Sequence, residues 1–217
     1  MTEPGIFREA RDLIRGGDRA AAVDRLMAAL PQLSTQFQRK AWSYAGLASY
    51  FDGHWAEALP LFQQAAAESE VPEDWFNVAM TQLHMGDIEA AHVTWQRVFE
   101  LNYAHQDAPE TSSFFEKKLM FARLLLEVGA ADPRGLDLLE RQLLPFFTNN
   151  HVTDTHFWAS RGVPSFNDVM TLLRQYYRAL RKDSAEWAVL CDWVARAVDE
   201  DGRAFCKEIR EGFGPAA

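Results

Sequence analysis

The stretch Trp42-Ser-Tyr-Ala-Gly46-Leu-Ala-Ser-Tyr50-Phe-Asp-Gly53-His-Trp-Ala-Glu-Ala58-Leu-Pro-Leu-Phe62-Gln-Gln-Ala65 decides the fold, because it recurs. Trp75-Phe-Asn-Val-Ala79-Met-Thr-Gln-Leu83-His-Met-Gly86-Asp-Ile-Glu-Ala-Ala91-His-Val-Thr-Trp95-Gln-Arg-Val98 carries the same landmarks. Trp42 and Trp75, Gly53 and Gly86, Ala58 and Ala91, and Phe62 and Trp95 are each 33 residues apart. Each landmark has a physical role in a helical hairpin. The leading Trp is a large knob on a first helix. Gly46 and Ala79 are small, so a second helix can approach closely. Gly53 and Gly86 end the first helix in the left-handed conformation that glycine adopts without steric penalty. Ala58 and Ala91 let the second helix pack back, and Phe62 and Trp95 fill the space between hairpins.

Working outward, Ile6 to Leu30 fits one more copy, with Ala10 small, Gly17-Asp18 the turn, Ala22 the close contact, Leu26 the filler and Ala29 the last small position. On the C-terminal side, Phe114 to Phe147 fits a degenerate copy. There Ala122 takes the small position, Gly129 the turn, and Leu136 and Leu139 face inward, while Pro133 shifts the second helix by about one position. The extra length before this copy falls in residues 102–113, whose Thr111-Ser112-Ser113 supplies N-cap chemistry for the next helix.

This pattern resembles the tetratricopeptide repeat, a helix–turn–helix unit with a period of about 34 residues. The resemblance is carried best by residues 39–101. It implies an all-α fold, a right-handed α-α superhelix of antiparallel hairpins with divergent capping helices at the C-terminal end. Repeats are expected at 6–30, 39–66, 72–101 and 114–147, so that 1–147 form the repeat region and 148–217 an irregular loop followed by capping helices. Terminal units that cover an open apolar face are expected to diverge.

Past Phe147 the repeat is lost but helical spacing continues. Residues 148–164 read as a long irregular connection. Ser165-Phe-Asn-Asp168 opens a helix running to about Arg181, and Asp183-Ser-Ala-Glu186 opens another carrying Trp187, Leu190, Cys191, Val194 and Val198. A last short helix is expected over 203–211.

Composition bounds the function. The chain has 217 residues, a formal net charge of −9, and 22 Lys+Arg against 31 Asp+Glu. A surface of that sign repels nucleic-acid phosphates and favours a basic partner segment. No stretch approaches the length of an apolar membrane span, the first five residues lack a signal-peptide pattern, and cytoplasmic residence is the expectation. Cys191 and Cys206 make no disulfide framework and read as buried thiols.

Catalytic signatures are not found: there is no GxSxG elbow, phosphate loop, dinucleotide turn or HExxH. The expectation is a non-enzyme without cofactor. His151, Asp154 and His156 are the best metal candidates, although their spacing matches no established ligand pattern. His84 and His92 flank the Gly86 turn and suit capping or surface placement. The aromatic residues at repeat landmarks are assigned to packing.

In tetratricopeptide repeats the first helices line the concave face. Carried onto this sequence, that geometry gives an inner stripe of Arg11, Lys40, Tyr44, Leu47, Tyr50, Phe76, Asn77, Met80, His84, Met120 and Arg123. Aromatics and Met on such a stripe suit an adaptable groove for a peptide or helix. Asn77 stands where many family members bond a ligand backbone or terminal carboxylate. Glu73 and Glu116 stand where a clamp for acidic tails would use Lys or Arg, so such a tail is not the expected ligand. The implied function is a scaffold, adaptor or chaperone-like module binding a protein partner. The alternative is an architectural or self-assembling subunit whose own C-terminal helices fill the groove, with an exposed Trp158, Trp187 and Trp193 as contacts.

Overall fold

The computed structural model describes residues 3–67, 69–104, 113–129 and 132–213, and these contain helices and turns with no strand. Contacts divide the chain into two compact units, Met1–Gln106 and Asp107–Ala217.

The first unit comprises α1 (Gly5–Arg15), α2 (Arg19–Ala29), α3 (Thr35–Phe51), α4 (Trp55–Ala66), α5 (Pro72–His84) and α6 (Ile88–Ala104). They pair as hairpins α1–α2, α3–α4 and α5–α6, and each hairpin packs on the next through α2 against α3 and α4 against α5. The steps of 36 residues from Gly17 to Gly53 and 33 from Gly53 to Gly86 end in one repeated bond geometry at the turns. Gly17, Gly53 and Gly86 have φ of 87°, 77° and 79°. After them the amides of Asp18, His54 and Asp87 donate to the carbonyls of Leu13, Ser49 and Gln82, each at 2.9 Å. This is the six-to-one bond of a Schellman motif, which satisfies a carbonyl the ending helix would leave unpaired. A side chain at Gly53 or Gly86 would have to enter the left-handed region that costs non-glycine residues. Asp18 and Asp87 then turn their carboxylates to the amides of Ala21 and Ala90, capping α2 and α6.

The small residues serve as expected. Ala22, Ala58 and Ala91 are fully buried, as are Ala10 and Ala79, and the fillers Leu26, Phe62 and Trp95 are buried beside them. Trp42 and Trp75 are each half-buried. The Trp75 ring packs on Ala58, Phe62, Ala66 and Val78, and its indole N–H donates to the carbonyl of Ser69 at 2.9 Å. Polar ties join adjacent hairpins. Arg39 on α3 pairs with Asp74 on α5, and the Ser69 hydroxyl donates to the same carboxylate at 2.6 Å. Arg19 on α2 pairs with Asp52 beyond α3 at 2.5 Å.

The second unit comprises α7 (Ser113–Glu127), α8 (Pro133–Asp137), a π-helical stretch Leu138–Leu143, α9 (Leu144–Asn150), α10 (Thr155–Ala159), α11 (Phe166–Ala179), α12 (Ser184–Ala197) and α13 (Glu200–Glu211). Residues 111 and 112 of the expected N-cap lie outside the described residues. Gly129 has φ of 78°, matching the earlier turns, and Leu136 and Leu139 are buried. Asp132 caps α8 at its Pro133 start. The π-helical turn adds one residue per turn to the α pattern, which brings Leu143, Leu144 and Phe147 round to fully buried positions.

Residues 148–164 differ from the irregular loop expected of them. Helix α9 continues to Asn150 and stops where His151 takes φ of 57°. Asp154 then starts α10 by accepting from the Phe157 amide at 2.6 Å. The expected exposure of Trp158 is corrected by the structure: it is only 3% exposed. Its indole N–H donates to Val152 at 2.9 Å, and its ring lies 4.7 Å from Phe146 and 6.0 Å from Phe147. A single helical turn is too short to show a period in sequence, so its inward face was not legible. Trp187, expected as a contact in the self-assembly alternative, is likewise fully buried. Its ring is edge-on to Tyr177 and stacked on Phe213.

Ser165 caps α11, and Asp183 with Glu186 forms a reciprocal capping box on α12. Helix α13 starts at Glu200 instead of 203, because Asp199 caps it through the Gly202 amide at 3.0 Å. Asp199 also accepts from the Thr153 amide and hydroxyl. Burial raises the Asp199 pKa, but these Thr153 and Gly202 bonds outweigh it and leave the carboxyl below its usual value. Both cysteines are buried and free.

Candidate functional site

In the first unit α1, α3 and α5 are the first helices of their hairpins, and they meet along one stripe of side chains. Phe7 of α1 lies 5.8 Å from Phe37 and 5.9 Å from Tyr44, both of α3. Tyr50 of α3 shares a 2.8 Å hydrogen bond with His84 Nε2 of α5. His84 in turn stacks on Trp55 of α4, with centroids 4.5 Å apart and planes inclined by 13°.

Arg11 and Lys40 converge on a carboxylate that the sequence reading passed over. Arg11 Nη1 and Nη2 donate to the two oxygens of Glu3 at 3.3 and 3.0 Å, and Lys40 Nζ donates to the first of them. Lys40 Nζ also sits 5.3 Å from the Phe7 centroid and 5.6 Å from that of Tyr44, within the range of cation–π attraction. The side-chain bonds from Arg11, then those from Lys40, hold the Glu3 carboxyl down to about 2. The bonds to Glu3, with the neighbouring Tyr44 second, push Arg11 further above its ordinary value. Glu3 precedes α1 in extended backbone, since Pro4 has ψ of 143°, and it reaches Arg11, eight residues further on, from outside the helix. Lys40 reaches Glu3 only through the packing of the hairpins, and no spacing in the sequence announces it.

Beside Lys40 lies a recess of about 380 Å³, lined by Phe37, Arg39, Lys40, Ser43, Val71 and Asp74. Tyr44, Leu47, Tyr50, Asn77 and His84 are half-buried, whereas Phe76 and Met80 are buried. Phe76 meets Trp95 edge-on at 6.2 Å. The Asn77 backbone carbonyl, rather than its amide side chain, takes the Thr81 hydroxyl at 2.7 Å. Met120 and Arg123, expected on the same stripe, lie exposed on α7 of the second unit. The face of the first unit therefore carries cations, aromatic rings and an amide.

The structure assigns local tasks to two of the candidate metal ligands. His151 Nδ1 is 2.6 Å from the Ala197 carbonyl, and Asp154 caps α10. His156 is exposed on α10. Among the described residues, no three His, Cys, Asp or Glu side chains are placed to hold a metal ion. Burial pushes the thiols of Cys191 and Cys206 up to about 12 and 11.

No protein-family model and no curated protein matches the sequence. A solved structure of a kinesin light chain-type protein from Podosopora anserina, with nearly identical tetratricopeptide-like repeats, does match. It has a TM-score of 0.65 at 17% identity and covers 97% of this chain and 100% of that one. The fold is tetratricopeptide-like. Helices α1, α3 and α5 are thus the first helices of tetratricopeptide-like hairpins. Among the described residues no helix is long and apolar enough to cross a membrane.

Proposed function

We propose that this chain is a non-catalytic, cytoplasmic scaffold or chaperone-like adaptor that takes a peptide or helix of a partner protein on its first-helix face. The observation that carries this reading is the accessibility of the stripe. Arg11, Lys40, Tyr44, Leu47, Tyr50, Asn77 and His84 are half-buried, although the apolar clusters of the unit lie between its helices. Side chains held by packing and still open to contact are what a preorganised interface needs. Phe76 and Met80 would support these residues from below, and Met120 with Arg123 would form a contact surface of the second unit by itself. Free, buried cysteines suit a reducing compartment.

A pull-down with the Tyr44→Ala, Asn77→Ala double variant tests the reading. Loss of the captured partners is expected, with the helical content unchanged. Capture of the same set would end the groove assignment.

A second reading, self-assembly, is favoured by one observation. Val189 and Trp193, four residues apart on one side of α12, are 69% and 46% exposed. Exposed apolar side chains of this size commonly mark contacts. Light scattering decides it: an oligomer that Trp193→Glu dissociates supports self-assembly, and a monomer at every concentration removes it.

A further inference from the structure

We infer that α12 docks against α12 of a second copy of this chain, antiparallel and two-fold symmetric, with the axis passing at the level of Cys191. The inference rests on the self-assembly reading above and gives it an orientation and a register.

Four exposed side chains of α12 build the surface. Glu186, Val189, Trp193 and Arg196 follow one another at steps of three, four and three residues, which keeps them on one side of a helix. The opposite side is anchored: Trp187, Cys191 and Val194 are buried, and the Trp187 indole N–H donates to the Ile209 carbonyl of α13 at 3.3 Å. The outward stripe is therefore held by the packing beneath it. Asp192, at its edge, is engaged by Arg210 of α13 at 2.7 Å. That leaves one acid and one base on the stripe, at opposite ends of the apolar pair. Glu186 accepts from the Asp183 amide at 3.2 Å and pairs with Lys182 at 3.7 Å, yet its side chain stays 52% exposed. Arg196 Nε donates to the Asp192 carbonyl at 3.1 Å, which lays the guanidinium along the helix.

The order of these four residues is self-complementary. Laid beside a reversed copy, Glu186 faces Arg196 of the second copy and Val189 faces its Trp193. Both pairs have their midpoint at residue 191, so one two-fold axis makes each contact twice, as an isologous interface requires. The exposed Ala185, one turn before Val189, leaves room for the incoming indole. Other arrangements lose this match. Parallel packing sets Glu186 on Glu186 and Arg196 on Arg196. An antiparallel register centred on Val189 sets Glu186 against Asp192, and one centred on Trp193 sets Arg196 against Leu190. Charges flanking an apolar seam select orientation and register in this way. A net charge of −9 opposes association of two copies, so the pairing at the seam has to be attractive. One helix face makes a small interface, and the dimer is accordingly weak and concentration-dependent.

Sedimentation equilibrium of the full chain over a wide concentration range tests the pairing. The natural chain should behave as a monomer–dimer equilibrium. Glu186→Arg and Arg196→Glu should each raise the dissociation constant by on the order of ten-fold, because two exposed pairs turn repulsive at once. The first substitution lowers the net negative charge and the second raises it, so a loss in both cannot come from net charge. The double variant should recover most of the affinity, since acid and base have only changed places. An equimolar mixture of the two single variants should associate more tightly than either alone. Association that neither single variant weakens, or that the double variant fails to recover, overturns the inference. If Trp193→Glu dissociates the assembly while the charge reversals leave it intact, self-assembly stands and the antiparallel pairing falls. A monomer at every concentration removes both. Circular dichroism checks that each variant keeps its helices, and Arg196→Glu, which lies outside the cap of α12, carries the test if Glu186→Arg loses them.

Discussion

Gly46 and Phe62 occupy one shared volume between α3 and α4: a Cβ on residue 46 would lie 2.7 Å from two carbons of the Phe62 ring. Real side chains do not approach so closely, and Phe62 is only 1% exposed, so the ring has nowhere to move. Gly46→Ala is expected to destabilise the protein by about 1–3 kcal/mol through overpacking. Thermal melting followed by circular dichroism checks this. Phe62→Leu introduced into the Gly46→Ala variant should recover part of the loss, and additive losses would mean the two positions are not in conflict.

Glu3 predicts a pH window. Its carboxyl is held at about 2 against an ordinary 4.5. A folded-state value below the unfolded one gives stability that is complete above about pH 5 and is lost as pH falls from 4.5 towards 2. The gap in urea midpoint between the natural chain and Glu3→Gln should shrink across that window. A gap independent of pH would show that the charge of Glu3 is not what Arg11 and Lys40 stabilise.

Lys118 predicts the opposite trend. It is 7% exposed, and burial lowers its ammonium to about 8 from an ordinary 10.5, while the rings of Phe114 and Phe115 lie 4.4 and 5.4 Å from its nitrogen. Below pH 8 both folded and unfolded chains carry the proton, so the folded state bears the desolvation cost that lowers the Lys118 ammonium. Above pH 8 the folded chain sheds the proton first and that cost fades. Lys118→Met should therefore melt higher than the natural chain at pH 7, by a margin that narrows towards pH 10. A constant margin would assign the effect to packing.

Cys191 and Cys206 should resist thiol reagents while the chain is folded. Burial raises them to about 12 and 11 from an ordinary 9.0, which lowers the thiolate fraction at pH 8 by on the order of a hundred- to a thousand-fold. Labelling with an aromatic disulfide should be slow in buffer and immediate in denaturant. Rapid native labelling would place at least one thiol near the surface.

Trp158 is expected to act as a core residue. Trp158→Phe keeps the ring beside Phe146 and Phe147 but removes the bond to Val152, for a loss of about 1 kcal/mol. Trp158→Ala should cost about 3–5 kcal/mol. Chemical denaturation separates the two, and equal small losses would return Trp158 to the surface.

The hairpins of the first unit were readable because their determinants are local. A glycine turn, a small contact residue and a filler each act within one hairpin, so their recurrence survives in a linear sequence. Glu3 was missed because its partner Lys40 lies 37 residues away and only hairpin packing joins them. The stretch around Trp158 was missed because a one-turn helix shows no period, and its inward face is set by Phe146 and Phe147 rather than by its own sequence. The π-helical turn at Leu138–Leu143 likewise has no residue code; it answers the register that the buried leucines require.

The identical closing bonds after Gly17, Gly53 and Gly86 make each turn independent of what lies beyond it. A pair of helices closed in this way can be duplicated or deleted without redesigning a joint, so the length of the first unit is free to vary while its surface chemistry is kept. Gene copies differing by whole 33-residue blocks would be tolerated where a change of one residue within a turn would not.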